Sequence, residues 1–146
     1  MDQAILTGNG TTEKILIVDD DRDTCQLLQF LFQRKGYRTM VATDGRQAIH
    51  QVQSEPPDLV LMDILMPDMD GLETFRRVRE FSTAPVLFLT ALDSIECAAQ
   101  AFHLGAVDYM RKPCSNTELL LHVQIALSLA KDGASASGEK GALPSV

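Results

Sequence analysis

Three consecutive aspartates, Asp19, Asp20 and Asp21, stand where the aliphatic run Lys14–Asp19 ends. Asp63 directly follows the run Leu59–Met62, Thr90 follows Pro85–Leu89, and Lys112 lies just beyond Val107–Met110. Clustered carboxylates repel one another unless a cation holds them. Mg2+ is the usual partner, because it needs few carboxylates and keeps positions for water and phosphate oxygens. A carboxylate can also act as a nucleophile and form an acyl phosphate. An ammonium and a hydroxyl beside it would then neutralise and hydrogen-bond the oxygens of the transferring group. The set points to Mg2+-dependent phosphoryl transfer, with Asp63 as acceptor, since it ends the central strand and the other acids flank it.

Each of these residues alone has an ordinary explanation. An Asp run is often a solvated turn with a helix cap, a lone Thr bonds to backbone, and Lys-Pro is a common dipeptide. Their weight comes from the elements that bring them together. Short apolar runs read as buried strands at Lys14–Asp19, Arg38–Ala42, Leu59–Met62, Pro85–Leu89 and Val107–Met110. Helical periods read at Thr24–Lys35, Ala48–Val52, Leu72–Phe81, Ile95–Leu104 and Glu118–Ala130. Four starts carry a capping residue with Glu or Gln three positions on: Asp44/Gln47, Asp70/Glu73, Asp93/Glu96 and Ser115/Glu118. Strands alternating with helices imply an α/β fold with a doubly wound parallel sheet. In such folds ligands gather at the carboxyl ends of the strands, where all of the chemical residues fall.

Composition sets the outer bounds. The 146 residues suit one domain, and 45% hydrophobic content is enough for a core without any Trp. Twenty acidic against 13 basic residues leave a net charge of -7, which argues against direct nucleic-acid binding and against an anionic membrane surface. No apolar run reaches the roughly 20 residues that span a bilayer, and the start of the chain lacks a signal-peptide pattern. A cytoplasmic protein is expected. Cys25, Cys97 and Cys114 are odd in number and widely spaced, which fits small core residues better than disulfides or zinc. Residues 1–12 read as a loose segment, 13–130 as the domain, and the Gly/Ala/Ser-rich 131–146 as a tail or linker.

The segments ILIVDDD, LVLMDILMPDMDG, VLFLTA and DYMRKP, in this order, resemble the receiver domain of two-component response regulators, the family of the bacterial chemotaxis regulator. The resemblance covers roughly Glu13 to Ala130. It implies a flavodoxin-like (βα)5 fold with strand order 2-1-3-4-5. It also implies that Asp63 accepts a phosphoryl group from a histidine kinase or histidine phosphotransfer protein. Asp19, Asp20, Asp63 and the backbone carbonyl of Leu65 would ligate Mg2+, and Lys112 would pair with the phosphoryl oxygens, with a cis bond to Pro113. Thr90 and Tyr109 match the switch pair. Thr90 would draw its loop inward and Tyr109 would turn from exposed to buried, altering the face of helix four, strand five and helix five toward an output domain or target protein. The protein would be a signalling phosphoacceptor and not an enzyme acting on other substrates.

This chain also departs from the family pattern. Cys114 replaces the Phe that often follows the Lys-Pro. Leu65 and Leu92, at positions linked to dephosphorylation speed, offer no polar group to orient a water, so a long-lived phosphoryl group is expected. Helix five carries His122 and Gln124 where receivers that form a symmetric homodimer have arginines; a homodimer is left open, without that arrangement being presumed. Two rival readings stand beside this one. Asp19-x-Asp21 after a strand resembles the nucleophile motif of haloacid dehalogenase-type Mg2+-dependent phosphohydrolases, with Asp19 as nucleophile. The domain could also be a receiver-like binding module that is never phosphorylated.

Overall fold

The computed structural model describes residues 12–136. Strands and helices alternate in the order β1 (Lys14–Val18), α1 (Arg22–Arg34), β2 (Arg38–Ala42), α2 (Gly45–Ser54), β3 (Leu59–Met62), α3 (Gly71–Arg79), β4 (Val86–Thr90), α4 (Ile95–His103), β5 (Asp108–Arg111) and α5 (Asn116–Ala136). All pairings are parallel, and the strand order is β2-β1-β3-β4-β5, as expected. The flavodoxin-like reading of the sequence holds.

The period-2 geometry of the strands divides the core in two. Leu16, Val18, Val60, Met62, Val86 and Phe88 point to the face covered by α2, α3 and α4. Ile15, Ile17, Leu59, Leu61, Leu87 and Leu89 point to the face covered by α1 and α5. Since β1, β3 and β4 are covered on both sides, these strands are continuous apolar runs rather than alternating ones. Phe75 of α3 meets Phe88 of β4 edge-on at 5.6 Å, an aromatic contact suited to a core without Trp. Cys25 is buried and Cys97 and Cys114 are half-buried, all as free thiols.

Helix starts follow the sequence at three of the four expected positions. Asp44, Asp70 and Ser115 accept from the backbone amides of Gln47, Glu73 and Glu118 at 2.8, 2.9 and 3.0 Å. At α4 the cap is Ser94, whose Oγ accepts from Cys97 N at 3.1 Å, and Asp93 is left outside the helix. Gly36, with φ +93°, ends α1 in the left-handed conformation that favours glycine.

Most element ends shift by one to three residues from the sequence reading, and the domain extends further at both of its ends. Helix α5 continues to Ala136, six residues past Ala130. Lys131 is a good helix former, one Gly costs only about 1 kcal/mol, and Lys131 Nζ is anchored to Glu13 Oε2 at 3.1 Å. Thr12 is likewise tied in, its carbonyl accepting from Arg38 Nε and Nη2 at 3.2 and 3.1 Å. The rest of the two expected loose ends, 1–11 and 137–146, lies outside the described residues.

Helix α3 starts against the end of β3. Gly71 N donates to Ile64 O at 2.8 Å. A Cβ on Gly71 would fall inside contact distance of the Asp63 carbonyl oxygen and 2.8 Å from Ile64 Cα. Both neighbours are backbone and cannot swing away. Gly71→Ala should therefore lower stability by about 1–3 kcal/mol, the usual cost of overpacking. Urea denaturation would measure it, and an unchanged midpoint would contradict the close approach.

Candidate functional site

Adjacent parallel strands bring Asp19 and Asp63 together. Val18 of β1 is in register with Met62 of β3, so the residue after each leaves the sheet at the same edge. Asp63 N donates to Val18 O at 3.0 Å and Asp19 N to Ala42 O at 3.1 Å, extending the ladder by one bond at both positions. The two carboxylates then adopt the same local geometry. Asp19 Oδ1 accepts from Asp21 N at 2.9 Å, and Asp63 Oδ1 accepts from Leu65 N at 3.1 Å. Each is an Asx turn, with the side chain bonding two residues ahead. Both remaining oxygens face one cation: Lys112 Nζ lies 2.8 Å from Asp19 Oδ2 and 3.1 Å from Asp63 Oδ2.

Lys112 reaches this point from beyond β5, with β4 lying between β5 and β3. Lys112 N donates to Thr90 O at 2.9 Å, and the Lys112–Pro113 peptide bond is cis, as the family resemblance implied. Asp19 and Asp63 are only 4% and 7% exposed, while Asp20 is exposed. Carboxylate oxygens of all three lie within 4.8 Å of one another. One ammonium for three carboxylates leaves an excess of two negative charges beside a low-dielectric core, and charges so placed need compensation. Three convergent oxygen donors, one open to solvent, fit a hard divalent cation that keeps several waters. Burial works to lower the Lys112 pKa, but the hydrogen bond to Asp19 and the charge of Asp63 outweigh it and hold the ammonium above its usual range.

The other two expected residues sit on the neighbouring strands, Thr90 at the end of β4 and Tyr109 within β5. Thr90 is fully buried at the end of β4, and its Oγ1 accepts from Leu92 N at 3.2 Å. Tyr109 is half-buried, tilted against Phe88 at 6.4 Å, and its hydroxyl donates to Leu92 O at 3.1 Å. Its ring is thus already turned toward the core in this structure. Leu65 is half-exposed, and with Ile64, Met66, Leu92 and Cys97 it lines an open, mainly apolar cleft beside Asp20.

Three contacts around the site had no residue-by-residue assignment in the sequence reading. Asp21 caps α1, accepting from Asp23 N and Thr24 Oγ1 at 3.0 Å each. Cys25 Sγ donates to Asp19 O at 3.3 Å. Arg111 Nη1 pairs with Asp93 Oδ2 at 3.3 Å. An Asp run directly before a helical period signalled the first, since Asp is a favoured N-cap. The other two depend on tertiary placement.

With this geometry in view, likeness to known proteins becomes informative. The sequence model of the family described as "Response regulator receiver domain" matches residues 15–124. The chain is 41% identical over 121 residues to the transcriptional regulatory protein ZraR of Klebsiella oxytoca, covering 82% of this chain and 27% of that one. It is 43% identical over 117 residues to the regulatory protein AtoC of Escherichia coli, covering 80% and 25%. The chain therefore spans about a quarter of the length of these relatives. Among solved structures, it is similar to the chemotaxis protein CheY4 of Vibrio cholerae, with 31% identity, a TM-score of 0.75, and coverage of 80% of this chain and 99% of that one. It is also similar to a CheY-like receiver domain from Methanospirillum hungatei, with 25% identity, a TM-score of 0.81, and coverage of 84% and 98%.

Lys112 acquires its two carboxylate partners only on folding, so its pKa is raised above the 10.5 of an unpaired lysine. A raised value contributes stability that is complete below the unfolded pKa and is lost as pH rises through the folded one. The stability gap between the protein and Lys112→Met should hold steady up to about pH 10 and close above it. Urea midpoints across that range test this, and a gap that closes already near neutral pH would contradict the pairing.

Proposed function

Because the chain belongs to the response regulator receiver domain family, we propose that it is a phosphoacceptor switch of a two-component system, with Asp63 taking the phosphoryl group. The observation that carries this reading is the single ammonium of Lys112 held between the buried carboxylates of Asp63 and Asp19. In the transfer, the P–N bond of a phosphohistidine on a histidine kinase or histidine phosphotransfer protein breaks and a P–O bond to Asp63 forms. The histidine nitrogen leaves with the electron pair and takes up a proton. Asp63 is oriented for this by the Leu65 amide. Lys112 stays charged beside the acceptor oxygen and neutralises charge on the phosphoryl oxygens.

Asp19, Asp20, Asp63 and the Leu65 carbonyl are the residues that would hold Mg2+, which when bound supplies charge neutralisation and orientation of the phosphoryl oxygens. Phosphorylation places a new acceptor near the Thr90 hydroxyl, whose proton is free to be donated because its Oγ1 lone pair already serves Leu92 N. Thr90 and Tyr109 then act as the switch pair, fixing the loop between β4 and α4 and the inward position of Tyr109. The face of α4, β5 and α5 would pass the change to an output domain or target. Its exposed apolar residues, Ile95 and Phe102 on α4 and Leu121, Ile125 and Leu129 on α5, support that role. His122 of α5 pairs with Asp108 of β5 within the same face; if the chain forms a homodimer, this face is available to it. The domain itself would not touch nucleic acid or membrane, and among the described residues no helix is long and apolar enough to cross a membrane. Its place of action would be the cytoplasm, where histidine kinases draw on ATP.

The two rivals gain less support. In a hydrolase built on Asp19-x-Asp21, both acids would serve the reaction, whereas Asp21 here is committed to the α1 cap. A module that is never phosphorylated leaves the pairing of Lys112 with both buried acids without a purpose.

Intact mass after incubation with acetyl phosphate and Mg2+ tests the assignment. One phosphoryl group should add to the protein and to a control variant such as Cys114→Ser, and none to Asp63→Asn. Labelling that survives Asp63→Asn but fails in Asp19→Asn would favour the hydrolase; no labelling of any form would favour the binding module. Leu65 and Leu92 present only apolar side chains toward the site, so the phosphoryl group should persist well beyond seconds after the donor is removed. Decay within seconds would contradict that expectation.

A further inference from the structure

We propose that Arg111, through its ion pair with Asp93, is a positioning residue that sets how firmly the β4–α4 loop closes beside the phosphoryl site. Four contacts, among others, tie the stretch from Thr90 to Asp93 in place. Thr90 Oγ1 accepts from Leu92 N, Leu92 O accepts from the Tyr109 hydroxyl, Thr90 O accepts from Lys112 N, and Asp93 Oδ2 pairs with Arg111 Nη1. The first three use backbone atoms together with Thr90, Tyr109 and Lys112, which the proposed function already employs. The fourth is made entirely by two side chains that the transfer does not use.

The register explains why these two meet. Arg111 is the β5 residue paired with Thr90, and it immediately precedes Lys112. Asp93 has the sequence context of a helix cap, yet Ser94 takes that position. The Asp93 carboxylate is thereby released to reach across to β5. The loop is thus pinned to β5 on either side of Leu92: through Thr90 before it and through Asp93 after it.

The magnitudes favour an effect on the loop over an effect on the fold. The pair is well exposed, at 53% for Arg111 and 76% for Asp93. An exposed pair contributes under about 1 kcal/mol, a factor of up to about five in an equilibrium. That is minor for global stability, but the loop leads into a helix with little hold on the core. Among α4 residues only Ala101 is buried, and Ile95 at its start is 87% exposed. An equilibrium so weakly anchored responds to a fivefold bias. Tyr109 is packed inward while the pair is formed, so the pair favours the arrangement that phosphorylation is proposed to select. If acetyl phosphate reacts with the fraction of protein already in that arrangement, losing the pair lowers that fraction and should slow phosphorylation. The inference rests on the proposed switch for that last step alone.

The experiment compares the protein with Arg111→Ala, Asp93→Ala and the exchanged pair Arg111→Asp/Asp93→Arg. Two readouts are taken: the NMR signal of ζ-13C-labelled Tyr109 without phosphodonor, and the initial rate of labelling by acetyl phosphate with Mg2+. Each single substitution should move the Tyr109 signal toward its solvent-exposed position and slow labelling by roughly two- to fivefold. The exchanged pair should restore both, which a merely structural loss would not do. Raising salt to about 1 M should move the unaltered protein toward the single variants, because exposed charges are then screened. An unmoved Tyr109 signal in both single variants, or failure of the exchange to restore it, would overturn the inference. If Tyr109 responds and is restored while no form takes up phosphate, the positioning role stands and the phosphoacceptor reading fails.

Discussion

The structure turns on one electrostatic constraint: two buried carboxylates share a single ammonium at the open edge of a parallel sheet. Asp19 and Asp63 each give Oδ1 to a backbone amide two residues ahead and Oδ2 to Lys112. Neither side chain can rotate without breaking a bond, so the negative charge is fixed in direction as well as in place. With Asp20 added, the charge is unbalanced by two. The site therefore favours a cation, as the proposed phosphoryl transfer requires. Fixed dipoles and charges of this kind contribute to transfer because they need no reorganisation when the reacting group arrives.

The fold is the means of meeting that constraint. Parallel neighbours end at the same edge, so the register of Val18 with Met62 is enough to place the two acids side by side. Gly71 lets α3 begin against the backbone of Asp63 and Ile64, which holds the loop after β3 tight to the sheet. On the far side, Lys112 N bonds to Thr90 O, so the ammonium-bearing residue and Thr90 are tied to one another by backbone. The same segment carries Tyr109 and Arg111, and through them β5 engages Leu92 and Asp93. Few contacts thereby separate the Asp63 carboxylate from the α4–β5–α5 face, the route the proposed switch would use.

Much of this was legible in the amino-acid sequence. The apolar runs marked the strands, and the acids, Thr90 and Lys112 stood at their ends because parallel α/β folds put ligands there. What remained hidden followed from competition between close alternatives. Asp93 and Ser94 both suit an N-cap; the structure caps α4 with Ser94 and pairs Asp93 with Arg111, a placement that local pattern does not specify. Residues 131–136 have the glycine and small residues of a linker, yet the Lys131–Glu13 pair helps carry the helix through. The two Asx turns depend on side-chain rotamers that spacing alone does not specify, although Asp19-x-Asp21 hinted at one. The inward packing of Tyr109 needed the position of Leu92, which no local pattern reveals.

The most direct test of the central claim is thermal unfolding during a Mg2+ titration, because a ligand that binds only the folded state stabilises it by mass action. The account predicts a Tm that rises steadily with Mg2+ for the protein, by an amount equivalent to about 2.7 kcal/mol at a hundredfold excess over Kd. It predicts little or no rise for Asp19→Asn or Asp20→Asn. A Tm that ignores Mg2+, or that rises equally in those variants, would contradict the claim that the three carboxylates form one cation-seeking site.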